Sequence, residues 1–400
     1  MVKKTLIWYV IFSLFTAGWT FWPQNSSRGN LLPPQIEFGK SIQFTLQLNS
    51  PENINAAYLF LQPNGQETQI LAFDLPLKDV NQIVFDLTNF RLRPFSLVEY
   101  WYRLEMSNGE IITGEKAFFT YEDNRFPWQR LSASQINVAW YSGDLVFGQQ
   151  ALDTALAGIQ KTHTILDYSL ATPVSIYIYP SASDLQSVLN LTPNSWVAGH
   201  ASPDLGVVLV SILPGPDQRA EMERQIPHEL MHIVQYQLIG DTYINLPVWL
   251  TEGLASMAEL YPNPDYQSVL KKAVENDTLL PMVNLCSAFP AELSGAILSY
   301  AQSDSFVRFL YQNYGATAMR ELIIAYKDGL GCEEGVRKVY GTSIAQLETR
   351  WRQEVLGMDI ASLAWSNLQP YMLISIFLLL PFLLTIFLSF RKEPGRYAAK

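Results

Sequence analysis

His228-Glu229-Leu230-Met231-His232 sets two imidazoles four residues apart, the spacing that stacks side chains on one face of an α-helix and lets both grip a single metal ion. Glu229 turns about 100° away from His228 on such a helix, so it can face a bound water instead of ligating. A third histidine in the His-x-x-Gly-x-x-His pattern is excluded, because Gln235 and Leu238 occupy its glycine and histidine positions. The remaining ligand must come from elsewhere. Trp249-Leu250-Thr251-Glu252-Gly253 supplies a carboxylate twenty positions beyond His232, and Glu252 is expected to complete the set. Glu259, seven residues later on nearly the same helical face, is the rival and is read as an outer partner or a surface group. Two imidazoles and a carboxylate with one open position suit Zn2+, which lowers the pKa of a bound water to about 7. The chemistry expected is peptide-bond hydrolysis by a zinc-activated water, with Glu229 as general base and then proton donor to the leaving amine. The plainer alternative is an accidental histidine pair on an amphipathic helix. With four histidines in the chain, that pattern arises by accident in roughly one chain in several hundred.

Pro227-His228-Glu229-Leu230-Met231-His232, followed after nineteen residues by Glu252 in Trp249-Leu250-Thr251-Glu252-Gly253-Leu254-Ala255, resembles the gluzincin group of the peptidase MA clan, which includes thermolysin-like enzymes and zinc aminopeptidases. It looks most like the bacterial peptidase MA-like domains of exported or membrane-tethered proteins. The resemblance covers roughly residues 134 to 356 and is strongest in the two metal helices. It implies an α+β thermolysin-like domain, a zinc cofactor held by His228, His232 and Glu252, a catalytic Glu229, and a peptide or protein substrate. Two departures stand out. Ser256 occupies the position where thermolysin-like enzymes carry an aspartate that orients a histidine, which leaves Glu259 available for that role. The aminopeptidase Gly-x-Met-Glu-Asn motif is absent, so terminal-amine recognition has no support. Tyr300, in Ser299-Tyr300-Ala301-Gln302-Ser303, matches a recurrent segment of the MA-like domains and by that resemblance is a catalytic candidate for oxyanion stabilisation; a core-packing tyrosine is the alternative. Trp196-Val197-Ala198-Gly199-His200-Ala201 resembles the strand edge along which substrate lies, with His200 more plainly structural than catalytic.

Composition bounds the remaining possibilities. At 400 residues, 48% hydrophobic and 16% charged, the chain can fill more than one core. The net charge is −10, and six of the 27 basic residues (Lys3, Lys4, Arg391, Lys392, Arg396, Lys400) sit in the tails with a single acid, Glu393. The middle therefore carries 21 basic against 36 acidic groups, which argues against nucleic acid and against anionic lipid as partners. Tyr371 to Phe390 holds twenty uncharged positions, enough to cross about 30 Å of hydrocarbon as a helix kinked at Pro381. Arg391 and Lys392 follow at once, so residues 391–400 are expected to be a cytoplasmic tail and the preceding chain extracytoplasmic, at the cell membrane. Lys3 and Lys4 before the apolar run Leu6 to Trp22 agree, marking residues 1–22 as a signal peptide or signal anchor. The two cysteines, Cys286 and Cys332, are read as one bridge in that oxidising setting, two buried thiols being the alternative.

Residues 23–34, rich in Pro, Asn, Ser and Gly, are expected to be a linker. Ile42, Phe44, Leu46 and Leu48 then alternate with polar residues, and strand-like runs at 55–62, 67–73, 81–87, 97–106 and 111–120 follow, with Asn64-Gly65 and Asn108-Gly109 as hairpin turns. Residues 35–122 are accordingly expected to form an all-β sandwich of immunoglobulin or fibronectin type with Trp101 and Tyr102 in its core, although the Cys-Trp-Cys hallmark is missing. A second linker is placed at 123–133 and the α+β zinc peptidase domain at 134–358, giving a multidomain chain. A non-catalytic cell-surface binding or scaffold protein with a peptidase-like fold is the competing function.

Overall fold

The computed structural model describes residues 28–189, 199–359, 368 and 371–381. The chain divides between Glu122 and Asp123 into two compact units.

In the first unit β1 (Gly29–Leu31), β2 (Gln35–Glu37) and β6 (Val80–Asp86) all pair with β3 (Ser41–Leu48). A second sheet joins β5 (Gln69–Ala72), β4 (Ile54–Pro63), β7 (Leu97–Met106) and β8 (Ile111–Thr113), with β9 (Ala117–Thr120) also on β7. Every pairing is antiparallel. The inward residues of the two sheets meet, the Phe44 ring lying 5.5 Å from Tyr100 and 6.1 Å from Phe119. Two expectations need correction. Residues 29–31, read as linker, form an edge strand, because backbone pairing with Leu46–Leu48 does not require an apolar sequence. Trp101 and Tyr102 cannot both face inward, since successive side chains of a strand point to opposite sides. Tyr102 is buried and donates its hydroxyl to the Gly29 carbonyl at 2.6 Å; Trp101 stacks outside on Phe60 at 5.2 Å.

The second unit opens with β10 (Gln129–Ala133) and β11 (Ile136–Trp140) as a hairpin. The 123–133 segment, expected as linker, thus contributes a strand whose polar outer residues hid it, as is usual for an edge. Then come α1 (Leu145–Leu166), β12 (Val174–Tyr179), α2 (Ala182–Leu189), β13 (Gly199–Ser202), β14 (Val207–Ser211) and α3 (Gln218–Ile239). The sheet order is β10-β11-β12-β14-β13, with β11, β12 and β14 parallel and both edges antiparallel. Asp144 caps α1, accepting the Phe147 N–H at 2.9 Å. The rest is helical: α4 (Val248–Ala258), α5 (Asp265–Glu275), α6 (Leu293–Lys327, broken at Gly315), α7 (Cys332–Tyr340) and α8 (Ile344–Glu354).

Two cores meet on α3. Met222, Ile226, Leu230 and Ile233 pack with α1 under the sheet, while Met231, Val234 and Ile239 pack against α4 and α6. Between the two buried sides runs a polar stripe, Glu221, Arg224, Gln225, His228, Glu229 and His232, at helical spacing. In α4, Gly253 abuts α6: a Cβ there would fall 2.5 Å from Val307 Cγ2 and 2.6 Å from the Ser303 carbonyl. That close approach carries the neighbouring Glu252 toward the stripe.

No helix among the described residues is long and apolar enough to cross a membrane. Residues 371–381 of the expected span are helical; 382–390, like 1–22 and 391–400, lie outside the described residues.

Cys286 and Cys332 are bonded, with Cα atoms 6.1 Å apart, and Trp249 Nε1 donates to Cys332 Sγ at 3.3 Å. The bridge closes a 46-residue loop, for which chain entropy gives about 4 kcal/mol. Replacing both cysteines by alanine is expected to lower unfolding stability by up to that amount, read by thermal or denaturant melts without reductant.

Candidate metal centre

α3 and α4 bring His228, His232 and Glu252 together, and one donor atom from each lies within 4.8 Å of the others. Glu252 Oε2 is 3.5 Å from His228 Nε2 and 3.8 Å from His232 Nε2. The opposite ring nitrogens are taken. Glu259 Oε1 lies 3.0 Å from His228 Nδ1, and the Tyr243 hydroxyl 3.0 Å from His232 Nδ1. With both Nδ1 atoms engaged, the two Nε2 atoms converge on the carboxylate, an arrangement that fits a divalent cation of nitrogen and oxygen preference once His228 gives up its proton. Tyr300 stands beside the cluster, its hydroxyl favouring the charged form of Glu252 and its ring centroid 6.4 Å from that of His228.

Several backbone contacts fix Glu259 in place. Pro227 has no N–H, so the Glu223 carbonyl is released from the α3 ladder. It accepts instead from Leu260 N at 2.8 Å and Tyr261 N at 3.3 Å, tying down the chain just past Glu259. Lys161 on α1 donates to the Glu259 carbonyl, and Arg308 Nη2 reaches the Ser256 carbonyl at 3.4 Å, so two cations sit at the C-terminal end of α4 where its dipole favours them.

Glu229 lies beside the cluster at the sheet edge. The Ala201 N–H of β13 favours its charged form, and Gly199 makes the close approach to that strand possible, since a Cβ there would fall 2.5 Å from Glu229 Oε1. A cleft of about 370 Å³ opens here, and Gly199, His228, Glu229, Glu259 and Tyr300 are among its walls.

Burial and charge set the protonation of these groups. Burial opposes a charge on His228, but Glu252 and Glu259 outweigh it and push its pKa up to about 10. Burial takes His232 the other way, down to about 4, with His228 and His200 adding to the shift. Glu252 is held below the usual carboxylate range: burial works against ionisation, but His232, His228 and the Tyr300 hydroxyl prevail. Burial lifts Glu229 to about 7, against the pull of His228. Burial, then Glu252, raises the Tyr300 and Tyr243 phenols, which stay protonated at neutral pH.

All five expected residues, His228, His232, Glu252, Glu229 and Tyr300, thus meet at one place. Glu259 is a partner of His228, the outer role its spacing from Glu252 allowed. Tyr243 went unread because it sits in a 3-10 turn, Gly240–Asn245, with no periodicity to place it. Lys161 and Pro227 act through backbone carbonyls, which no side-chain pattern reveals.

Metal uptake at neutral pH has to displace the proton that His228 holds, because that group is charged below about pH 10. Affinity for Co2+ or Zn2+ is therefore expected to rise about tenfold per pH unit between about pH 6 and 8, with about one proton released, measurable by calorimetry in buffers of different ionisation enthalpy. Glu259→Ala is expected to weaken binding about 10- to 100-fold in the same titration.

The sequence profile of the Peptidase MA superfamily matches residues 154–357, just over half of the chain. A search of curated proteins returned no match. Among solved structures the chain is similar to an M1 zinc metallopeptidase from Deinococcus radiodurans, at 12% identity over 81% of this chain and 91% of that one with a TM-score of 0.35. It is also similar to a polysaccharide deacetylase from Bacillus cereus, at 12% identity over 42% of this chain and 57% of that one with a TM-score of 0.21. The profile match spans α3 and α4 with both histidines, Glu229 and Glu252, and the chain belongs to the peptidase MA superfamily.

Proposed function

We propose that the chain is a membrane-anchored, extracytoplasmic zinc metallopeptidase. The observation that carries this reading is the placement of Glu229: a buried carboxyl at the wall of a cleft, beside two converging imidazoles and a carboxylate, with its pKa lifted to about 7. His228, His232 and Glu252 would hold the ion. Zinc bound there supplies Lewis acidity toward a carbonyl and a water acidic enough to react near neutral pH.

The chain's own groups do the rest. Among the described residues β13 is an antiparallel edge strand, the kind of edge to which an extended peptide can add as a further strand. Glu229 acts as general base; a pKa near 7 lets the same carboxyl take a proton from water and return it to the leaving amine. The Tyr300 hydroxyl, protonated at neutral pH and already at Glu252, can donate to negative charge developing on the substrate oxygen. A scaffold would have no use for Glu229, whose burial costs stability when it ionises.

Anchoring rests on sequence: the uncharged run 371–390 and the basic residues that follow it, with the basic and apolar N-terminal segment in agreement. This composition supports a C-terminal span that leaves the catalytic unit outside the cytoplasm.

Glu229→Gln is expected to keep zinc and lose about 10²- to 10⁴-fold in kcat on a peptide library, whereas His228→Ala loses both zinc and cleavage. Metal analysis of the purified variants beside the rate assay separates the two; an undiminished rate for Glu229→Gln refutes the base assignment. The full chain is further expected to stay in the membrane pellet at alkaline pH and a chain of residues 28–358, lacking both apolar segments, to leave it, as read by fractionation.

A further inference from the structure

The cleft does not end at the metal cluster. It continues along the α3 stripe to Arg224, one helical turn before His228. One flank is apolar, formed by Leu293, Ala296 and Ile297 from the first turns of α6. Arg224 is the only lysine or arginine among the described residues that line it.

The guanidinium is held but not used up. Its Nη2 lies 2.6 Å from both Glu221 oxygens, and Glu221 is itself fixed by Gln225 Nε2 at 2.7 Å. Among the described residues no bond falls on Nε or Nη1, so donors remain for a further acceptor. A part-exposed pair of this kind, with side chains 31% and 34% accessible, adds little to stability, so folding alone does not account for an arginine in the cleft wall. Charge is also graded along the cleft. Glu229 and Glu259 line the metal end, and Arg224, with its Glu221 partner, lies at the other.

We propose that Arg224 forms a carboxylate-recognition subsite, so that the favoured substrates are peptides with an acidic group a fixed short distance from the cleaved bond and an apolar side chain against Leu293 and Ile297. This deepens the peptidase reading and rests on it. A helical turn separates Arg224 from His228 by about 6 Å along the axis, and an extended peptide advances about 3.3 Å per residue. The carboxylate therefore falls about two residues from the reacting bond. An aspartate or glutamate side chain and a free chain terminus present the same chemistry to the guanidinium, and a planar arginine fork suits either.

The test uses the full-length, zinc-loaded protein in detergent and matched peptide sets. One set carries Asp or Glu at each of three positions on either side of the cleaved bond; a second has the neutral amide isosteres; a third has free or amidated C-termini. The wild type is expected to show kcat/KM at least about tenfold higher for one carboxylate position than for its amide isostere. In Arg224→Gln that ratio should fall below about twofold, neutral peptides being nearly unaffected, and Arg224→Lys should restore part of it. Dependence on a free terminus assigns the carboxylate to the chain end, and dependence on an internal acid assigns it to a side chain; both support the subsite. No carboxylate preference in the wild type, or an equal loss on all peptides in Arg224→Gln, overturns it. Binding of the same peptides to zinc-loaded Glu229→Gln, with and without Arg224→Gln, gives a readout free of turnover. If the wild type cleaves no peptide the peptidase reading fails, and absence of an Arg224-dependent binding preference then removes the subsite as well.

Discussion

Two hydrogen bonds behind two imidazoles govern this molecule's chemistry. Glu259 at His228 Nδ1 and Tyr243 at His232 Nδ1 fix both ring planes, and only then do the Nε2 atoms face Glu252 together. Neither partner belongs to α3. Tyr243 comes from the turn after that helix and Glu259 from the residue that ends α4, so the centre exists only when α3, the turn and α4 are packed. Much of the surrounding architecture serves that packing: the Gly253 contact with α6, the Glu223 carbonyl released by Pro227, and the Lys161 reach from α1.

The centre lies where two hydrophobic cores share one helix. Burying α3 against the sheet on one side and against α4 and α6 on the other makes it rigid, at the cost of confining polar groups to a narrow stripe. Charges there are poorly hydrated and act strongly on one another. This is why His228 and His232, one turn apart on the same helix, are driven to opposite protonation states: at His228 two carboxylates outweigh burial, whereas at His232 burial prevails over Glu252 alone, with a neutral phenol behind the ring.

The Cys286–Cys332 bridge belongs to the same logic. It ties the segment before α6 to the start of α7, and Cys332 receives the Trp249 indole N–H. Trp249 stands one turn before Glu252 on α4 and is fully buried, so the bridge supports the helix that supplies the carboxylate.

Much was legible from sequence alone. A helix has a fixed angular period, so His228, Glu229 and His232 declared their common face without any knowledge of the fold, and the strand alternation of Ile42 to Leu48 did the same for β3. Peptidase MA membership and Glu252 followed from local motifs. Legibility failed where position depends on long-range backbone pairing or on a side chain arriving from an irregular segment. β1 and β10 looked like linkers because edge strands need hydrogen-bond partners more than apolar residues, and Trp101 was assigned to the core although alternation beside Tyr102 turns it outward. Tyr243, Lys161 and the Gly199 approach to Glu229 lay beyond any periodic reading. Local sequence determined which chemical groups the centre could use, since donor identity and helical spacing are properties of neighbouring residues. Tertiary structure alone decided their orientation and their charge, because both depend on burial and on partners brought from distant parts of the chain.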